Sequence, residues 1–313
     1  MAQQLTLDVL IPTFERPDML ARTLASLVAA PMPEGLVARV MVIQNDTSDA
    51  TNAVVERFAS AHPQRIRFMR ERRRGKSRAV NAALAVTDGE LVGIIDDDEE
   101  IDGGWYTAVA NAFRDDKVAF IGGPCTPRWG AVPPGWLPTR WQGVIGFVDD
   151  GDRVRVFGED ASGILMGGNA VIRRAVLDRA GWYSPLLGPQ GDQRLLSGED
   201  EDLFRRLLRV GAYGLYVPAL KIYHYVPPAR LTKKYYRRWS FWNGVSRSII
   251  DRARPLPVRR FGRVPRFLVG AAVRGLVRST PTDDPGIRFS EELDLWHLLG
   301  FVYGSYLYTP GRS

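Results

Sequence analysis

Five consecutive carboxylates, Asp96-Asp97-Asp98-Glu99-Glu100, follow directly on the apolar run Leu91 to Ile95. Like charges this close repel, so the run is costly unless a cation sits among them. Hard divalent cations take oxygen ligands, and Mg²⁺ in particular uses one or two carboxylates completed by substrate phosphates. Asp96 and Asp98 flank a single residue, a D-x-D pattern at the tip of what reads as a strand buried on both faces. A solvated acidic turn is the plain alternative. A second acidic cluster, Glu199-Asp200-Glu201-Asp202, opens a stretch whose Leu203, Phe204, Leu207 and Leu208 recur at helical spacing. Acids at a helix N-terminus complement its dipole. Four exceed what capping needs, which leaves at least one available as a general base.

The surrounding pattern supplies elements that could position both clusters. Leu7 to Ile11, Arg39 to Ile43, Ile66 to Met69, Leu91 to Ile95 and Val118 to Gly122 read as strands. Between them lie helical stretches. The first starts at Pro17 and carries Met19, Leu20, Leu24, Leu27 and Val28. The second runs from about Ala50 to Ala59, capped by Asp49, with Val54, Val55 and Phe58 inward. The third runs from Lys76 to Ala85, and a fourth from Trp105 to Phe113. Regular β-α alternation predicts an α/β fold with a mostly parallel, Rossmann-like sheet and helices on both faces. Ligands bind such sheets at the carboxyl ends of the strands, where the acidic turn falls. Pro12-Thr-Phe-Glu-Arg-Pro17 stands where a dinucleotide fold has G-x-G-x-x-G. Arg74-Gly-Lys-Ser77 lacks the upstream glycine of a P-loop. Dinucleotide and P-loop chemistry are disfavoured.

Composition is that of a globular protein, 45% hydrophobic and 25% charged over 313 residues, with one cysteine, Cys125. No disulfide framework is possible, and a reducing, cytoplasmic setting fits. The N-terminus shows neither the charged nor the apolar region of a signal peptide. Charge is unevenly spread. Residues 81–202 hold 21 acidic and 10 basic side chains, whereas residues 203–280 hold 18 basic and one acidic, Asp251. An acidic half followed by a basic one suggests two tasks. From Pro124 to Gly158 the alternation breaks into a Pro-, Gly- and Trp-rich stretch whose aromatics could stack on sugar rings or simply pack.

Taken in order, the motifs resemble family 2 glycosyltransferases of the GT-A fold, inverting members of the nucleotide-diphospho-sugar transferase superfamily. The matching segments are Val-Leu-Ile-Pro-Thr-Phe-Glu-Arg-Pro17, Asn45-Asp46-Thr-Ser, Arg74-Gly-Lys-Ser-Arg-Ala-Val-Asn81 and Ile-Ile-Asp-Asp-Asp98. Gly168-Asn-Ala-Val-Ile-Arg-Arg174, Gly198-Glu-Asp-Glu-Asp-Leu203 and Tyr216-Val-Pro218 with His224 follow. No one segment is specific, but the ordered set is. The resemblance implies a catalytic domain over residues 1–230, with a nucleotide-binding half (1–123) and an acceptor-side half (124–230). It implies that Pro12, Thr13, Glu15, Asp46, Gly75, Lys76 and Asp97 line the nucleotide-sugar site. Asp96 and Asp98, with His224, would hold a divalent metal, Mn²⁺ or Mg²⁺, on the diphosphate. Asp200, with Glu199 as neighbour, would be the catalytic base. The expected donor is a nucleotide-diphosphate sugar, a UDP-sugar first, and the expected acceptor a saccharide or lipid-linked hydroxyl. Processive members carry Q-x-x-R-W, but Tyr235 stands at the first position before Arg238-Trp239, so a single transfer per encounter is expected.

Residues 231–313 read as a basic, amphipathic, helical C-terminal region. Lys233 to Trp242 interleaves cations with aromatics. Arg259, Arg263, Arg266, Arg274 and Arg278 recur at helical spacing opposite Phe261, Val264, Leu268, Ala272 and Leu276, with a helix start expected near Pro265. Such a segment suits an anionic membrane surface or packing on the catalytic domain. Leu295 to Tyr308 is uncharged but shorter than the roughly 20 residues of a membrane span. The expectation is a transferase at the inner face of the plasma membrane, peripherally bound, in cell-surface polysaccharide or glycolipid synthesis. A soluble transferase acting on a small molecule or protein is the second reading. A nucleic-acid-binding protein is a distant third, since no nucleic-acid motif is present and the acidic site would be unexplained.

Overall fold

Leucine- and β-branched runs between short polar turns make the strands, and apolar residues three and four apart make the helices that cover them. The computed structural model describes residues 4–158, 165–191, 194–277 and 284–310. The first elements in chain order are β1 (Leu5–Thr13), α1 (Pro17–Ala29), β2 (Leu36–Gln44), α2 (Asp49–Ala61), β3 (Ile66–Arg70), α3 (Lys76–Leu84), β4 (Leu91–Ile94), β5 (Glu99–Ile101), α4 (Trp105–Ala112) and β6 (Val118–Gly122). β7 (Cys125–Trp129), β8 (Arg155–Phe157), β9 (Ala170–Arg173), α5 (Arg174–Ala180), α6 (Glu199–Arg209), β10 (Tyr213–Tyr216) and β11 (Ile222–Val226) come next. The chain closes with α7 (Lys233–Ala253), β12 (Arg260–Phe261), β13 (Val264–Pro265), α8 (Arg266–Val277) and α9 (Pro285–Tyr306).

Eight strands form the central sheet in the order β3-β2-β1-β4-β9-β6-β10-β8. Two parallel blocks, β3-β2-β1-β4 and β6-β10, are joined by β9, which runs antiparallel to both β4 and β6. The expected mostly parallel α/β sheet is therefore present, with an antiparallel strand at its centre. Side chains alternate across a strand, and β1 shows the consequence. Leu7, Val9 and Ile11 join a core with α1, α2 and α4, whereas Leu10 joins a second core with α3, α5 and α6. Helices thus cover both faces. The order 3-2-1-4 makes the chain reverse direction across the sheet between β1 and β4, the switch point where a crevice opens at the strand ends. Pro12 and Thr13 end one wall of it and the acidic turn after β4 ends the other.

Two local expectations are corrected. Asp49 is not the cap of α2. Ser48 is, its hydroxyl accepting from Thr51 N at 3.4 Å, and Asp49 is the first helical residue. Nor is the stretch after Pro124 wholly irregular, because it contains β7 and β8. β7 lies at the edge of a small sheet ordered β5-β11-β7, where Pro127 removes a donor at little cost.

By chain contacts the molecule divides into two compact units, residues 1–128, 146–184 and 199–225, and residues 129–145, 185–198 and 226–313. The first contains the central sheet. In the second, α7 and α9 pack backbone to backbone through glycines. A Cβ on Gly244 would strike the His297 carbonyl, and one on Gly300 the Phe241 carbonyl. Trp136 meets Tyr236 and Phe289 edge-on, and Trp141 meets Trp239, so these two tryptophans pack. Arg259 and Arg263 do not extend the helix of Arg266 and Arg274. They belong to the β12–β13 hairpin that precedes it, turned by Gly262 at φ 56°, and Arg278 lies outside the described residues. Among the described residues no helix is long and apolar enough to cross a membrane.

Candidate active site

The acidic turn after β4 is resolved into separate partnerships, all within the first unit. Asp96 receives the Lys76 ammonium at 2.7 Å. Asp97 Oδ2 accepts from Thr13 Oγ1 at 2.8 Å and from Phe14 N, while Thr23 Oγ1 donates to the Asp97 carbonyl. Asp98 Oδ2 lies 2.8 Å from Arg16 Nη1 and 3.6 Å from His224 Nε2. Glu99 turns inward, and its Oε2 accepts from the Asp96 backbone N at 2.8 Å. Glu100 pairs with Arg128. A sharp turn immediately after a strand splays neighbouring side chains, which is how five adjacent carboxylates coexist.

Each supporting loop is tied down by a buried polar residue. Asp46 is saturated within the protein, accepting from Glu15 N, Gln44 Nε2 and Ser48 N. The first of these bonds holds Glu15 at φ 55°, the one positive value for a non-glycine among the described residues. Asp46 therefore shapes the loop between β1 and α1. Asn45 does the same for the loop before α3. Its Nδ2 donates to the Glu71 and Arg73 carbonyls, and its Oδ1 accepts from Gly75 N at 2.7 Å. Gly75 has φ 126° at the start of α3, a conformation that favours glycine, and it aims Lys76 across the crevice.

The second cluster splits in two. Glu201 and Asp202 pair with Arg205 and Arg206 one turn on, as simple helix stabilisation would have it. Glu199 and Asp200 face the crevice instead. Glu199 Oε1 lies 3.7 Å from Lys76 Nζ. Asp200 bonds the backbone of Gly167, and its Oδ1 is buried with no hydrogen-bond partner. The carboxylate comes so close to Gly167 that any Cβ there would collide with it, and Gly168 gives the Glu99 carboxylate the same room. Asn169, fully buried, fixes this turn by accepting from Trp105 Nε1 and donating to the Leu220 carbonyl.

Burial raises the proton affinity of these acids. Desolvation and Asp200 push Glu199 up to about 8 against the pull of Lys76. Desolvation pushes Asp97 up to about 6 although Arg16 opposes it. Glu99 and Asp200 are also raised, both chiefly by burial. Burial works against the Lys76 charge, but Asp96, Asp200 and Glu199 outweigh it and hold Lys76 firmly protonated. Cys125 is buried and its thiol pushed up, which suits a packed residue and not a nucleophile.

Asp98 and His224 were expected to share a divalent ion with Asp96. Among the described residues, no three acidic, histidine or cysteine side chains converge into a cation cage. What converges is a pair, Asp98 Oδ2 and His224 Nε2, on a site that needs further oxygen ligands. A diphosphate would supply them, and few protein ligands completed by phosphate oxygens is the usual arrangement for Mg²⁺. The donor set fits such an ion as a half-site.

Three side chains at this site escaped the sequence reading. Arg16 bridges Asp97 and Asp98, Glu99 anchors the turn from below, and Tyr183 contributes a buried hydroxyl without a partner. Burial, then Asp200, pushes the Tyr183 phenol up, so it remains a proton donor. Arg16 had a local signal as a cation beside Pro17 at the end of a strand-turn motif, and Glu99 one as a member of the acidic run; Tyr183 had none.

The acidic turn at the switch point and the Glu199–Asp200 helix start, brought together through Lys76, are the arrangement of a GT-A glycosyltransferase. The model for glycosyl transferase family 2 matches residues 8–181, more than half the chain, and the chain belongs to that family. The matched stretch includes Asp96 to Asp98 and ends before Glu199. Succinoglycan biosynthesis protein ExoM of Rhizobium meliloti (strain 1021) is 28% identical over 246 residues, 77% of this chain and 74% of the relative. A glucosyl-dolichyl phosphate glucuronosyltransferase of Haloferax volcanii is 25% identical over 182 residues, 57% of this chain and 56% of the relative. Among solved structures, mannosyltransferase PcManGT from Pyrobaculum calidifontis, in complex with GDP-Man and Mn²⁺, superposes with a TM-score of 0.60 at 18% identity. The match covers 96% of this chain and 87% of the mannosyltransferase. That likeness shows the shared fold.

Proposed function

We propose that this glycosyltransferase inverts configuration at the sugar, with Asp200 as the base. The observation that carries the proposal is Asp200 Oδ1, a buried carboxylate oxygen without a hydrogen-bond partner. An unpaired buried acceptor is costly, and an incoming acceptor hydroxyl would satisfy it. The acceptor oxygen then attacks the anomeric carbon as its proton passes to Asp200, and the bond from that carbon to the diphosphate breaks. The raised proton affinity of Asp200 suits a base that must hold the proton it takes. Asp98 and His224 would hold a divalent ion, Mn²⁺ or Mg²⁺. When bound, that ion neutralises charge developing on the leaving diphosphate. Lys76, fixed on Asp96, keeps a cation at the same end of the crevice. Asp46 and Asp97 act by holding the β1–α1 loop, with Thr13 and Glu15, in the shape that meets the nucleoside.

The acceptor is a saccharide or lipid-linked hydroxyl at the inner membrane face, in polysaccharide or glycolipid synthesis. Support comes from succinoglycan biosynthesis in one relative and a dolichyl phosphate sugar in the other. UDP is the first donor nucleotide to test and GDP, the nucleotide of the GDP-Man in the PcManGT complex, the second. Calorimetry with each, with and without Mn²⁺, on the wild type, Asp98→Ala and Asp200→Asn tests the reading. One nucleotide should bind in a metal-dependent way, and Asp98→Ala should abolish that dependence. Asp200→Asn should keep nucleotide binding while slowing transfer by roughly 10²–10⁴-fold. Wild-type turnover in Asp200→Asn would remove Asp200 as the base.

A further inference from the structure

Outside the acidic site, the second unit carries a surface that catalysis leaves unexplained. Residues 252–277 contain seven arginines and no acidic residue. Within this stretch and at the end of α9, large apolar side chains stand in solvent. Phe261, Phe267, Tyr306 and Leu307 are between 51% and 74% exposed. Phe261 and Tyr306 lie in one cluster of rings and arginines. Arg266 lies over the Phe261 ring at 4.5 Å, Arg263 lies over the Tyr306 ring, and Arg263 N donates to Tyr306 Oη at 2.9 Å. The β12–β13 hairpin, the first turn of α8 and the last turn of α9 therefore form one patch. Along α9 it continues through Leu299 and Val302, which with Tyr306 follow the i, i+3, i+7 spacing of a single helix face. The rest of α9 is spent on α7, where Gly300 and Gly304 let the helices touch, and on α8. What remains of α9 in solvent should be polar, and at this end, with Leu299, Val302, Tyr306 and Leu307, it is not.

We propose that this patch docks the enzyme on an anionic bilayer, with Phe261, Phe267, Tyr306 and Leu307 in the interface and Arg259, Arg266 and Arg274 against the headgroups. The proposal deepens the membrane-side acceptor reading above and rests on it for biological sense, but its geometry is independent of the donor site. Charge decides among occupants. A second copy would bring an identical arginine-rich surface, whose neighbouring acid Asp251 is spent on Arg260, against this one in a two-fold contact, where like charges repel. Nucleic acid would satisfy the arginines but not Leu299, Val302 and Leu307. An anionic interface satisfies both, with aromatic and aliphatic side chains at the acyl boundary and cations at the phosphates. The attachment is a surface one, since among the described residues no helix can span.

The test is co-sedimentation of the full chain with POPC vesicles containing about one third POPG, and with POPC alone, at low and high salt. The wild type should bind the anionic vesicles, bind POPC at least tenfold more weakly, and lose affinity with salt. Each arginine near such a surface contributes about fivefold. Arg266→Gln with Arg274→Gln should therefore weaken binding on the order of 25-fold, and Phe261→Ser with Leu307→Ser at least tenfold. Nucleotide affinity by calorimetry should be unchanged in both, which keeps failure here separate from failure of the transferase reading. Equal binding to POPC and POPG vesicles, or full binding by both double variants, would overturn the proposal. So would a concentration-dependent dimer that Phe261→Ser with Leu307→Ser abolishes, because it would give the patch to a second copy.

Discussion

Replacing Gly167 by alanine tests whether the position of Asp200 is what limits transfer. A Cβ on Gly167 would stand 1.9 Å from Asp200 Oδ1, and ordinary contact begins near 3.4 Å. The carboxylate, or the turn carrying residue 167, must therefore yield by about 1.5 Å. Misplacing a reacting group by about 1 Å costs on the order of 10²-fold in rate. The overpacking itself costs roughly 1–3 kcal/mol of stability, which a protein of this size tolerates. Gly168→Ala is the matched comparison, because its Cβ strikes Glu99, whose Oε2 holds the Asp96 backbone. The two glycines are adjacent but serve different carboxylates. Steady-state release of nucleoside diphosphate, with nucleotide affinity from calorimetry, separates them. Gly167→Ala should lower kcat at least 100-fold with nucleotide Kd changed by about twofold or less. Gly168→Ala should weaken metal-dependent nucleotide binding instead. A folded Gly167→Ala enzyme with wild-type kcat, or two variants that lose nucleotide affinity alike, would refute the assignment of separate roles to Asp200 and Glu99.

Two further outcomes follow from the same geometry. Glu199, raised to about 8, and Asp97, raised to about 6, hold protons in the folded chain that the unfolded chain releases at ordinary carboxylate values. Raised acids make stability greatest below the unfolded values and erode it as pH rises through the folded ones. The melting temperature of the ligand-free protein should thus fall between pH 5 and pH 8, and Glu199→Gln should flatten the slope. A wild-type melting temperature that rises across that window contradicts the linkage. In the second unit, Gly300→Ala places a Cβ against the Phe241 carbonyl, a backbone group that cannot rotate away. The cost should be about 3 kcal/mol, lowering the melting temperature by roughly 5–10 °C. Calorimetry that finds a change within about 1 °C would mean that α7 and α9 separate more easily than their contact implies.

Much of the sheet was legible because parallel strands buried on both faces carry an apolar run that ends abruptly, as Leu91 to Ile94 does before Asp96. The alternation of strands and helices pointed to a parallel sheet, whereas the strand order and its reversal between β1 and β4 are set by pairings far apart in the chain. β9 escaped because Ala-Val-Ile-Arg173 is short, and direction in a sheet leaves no mark on four residues. β7 escaped because Pro127 and Trp129 read as loop chemistry, and only an edge position makes them acceptable in a strand. At the C-terminus, the arginines recur at helical spacing from Arg259, but the helix start expected near Pro265 agrees with α8 beginning at Arg266. What escaped was the short β12–β13 hairpin before it, turned by Gly262.

The site shows the same division at the level of single atoms. Adjacency in sequence made Asp96, Asp97 and Asp98 look like one instrument, and the fold gives each its own partner. Those partners come from far along the chain: Lys76 for Asp96, Thr13 for Asp97, Arg16 and His224 for Asp98. Sequence marks which residues can ionise, whereas burial decides which of them are forced to share protons or cations. Here burial raises Asp97, Glu99, Glu199 and Asp200 together, while Arg16 and Lys76 are the cations set against them. The crevice is consequently held under mutual carboxylate repulsion that two basic side chains only partly relieve. A ligand that brought more positive charge to Asp98 and His224, or a hydroxyl to Asp200, would relax it. Binding and chemistry would then draw on the same electrostatic imbalance.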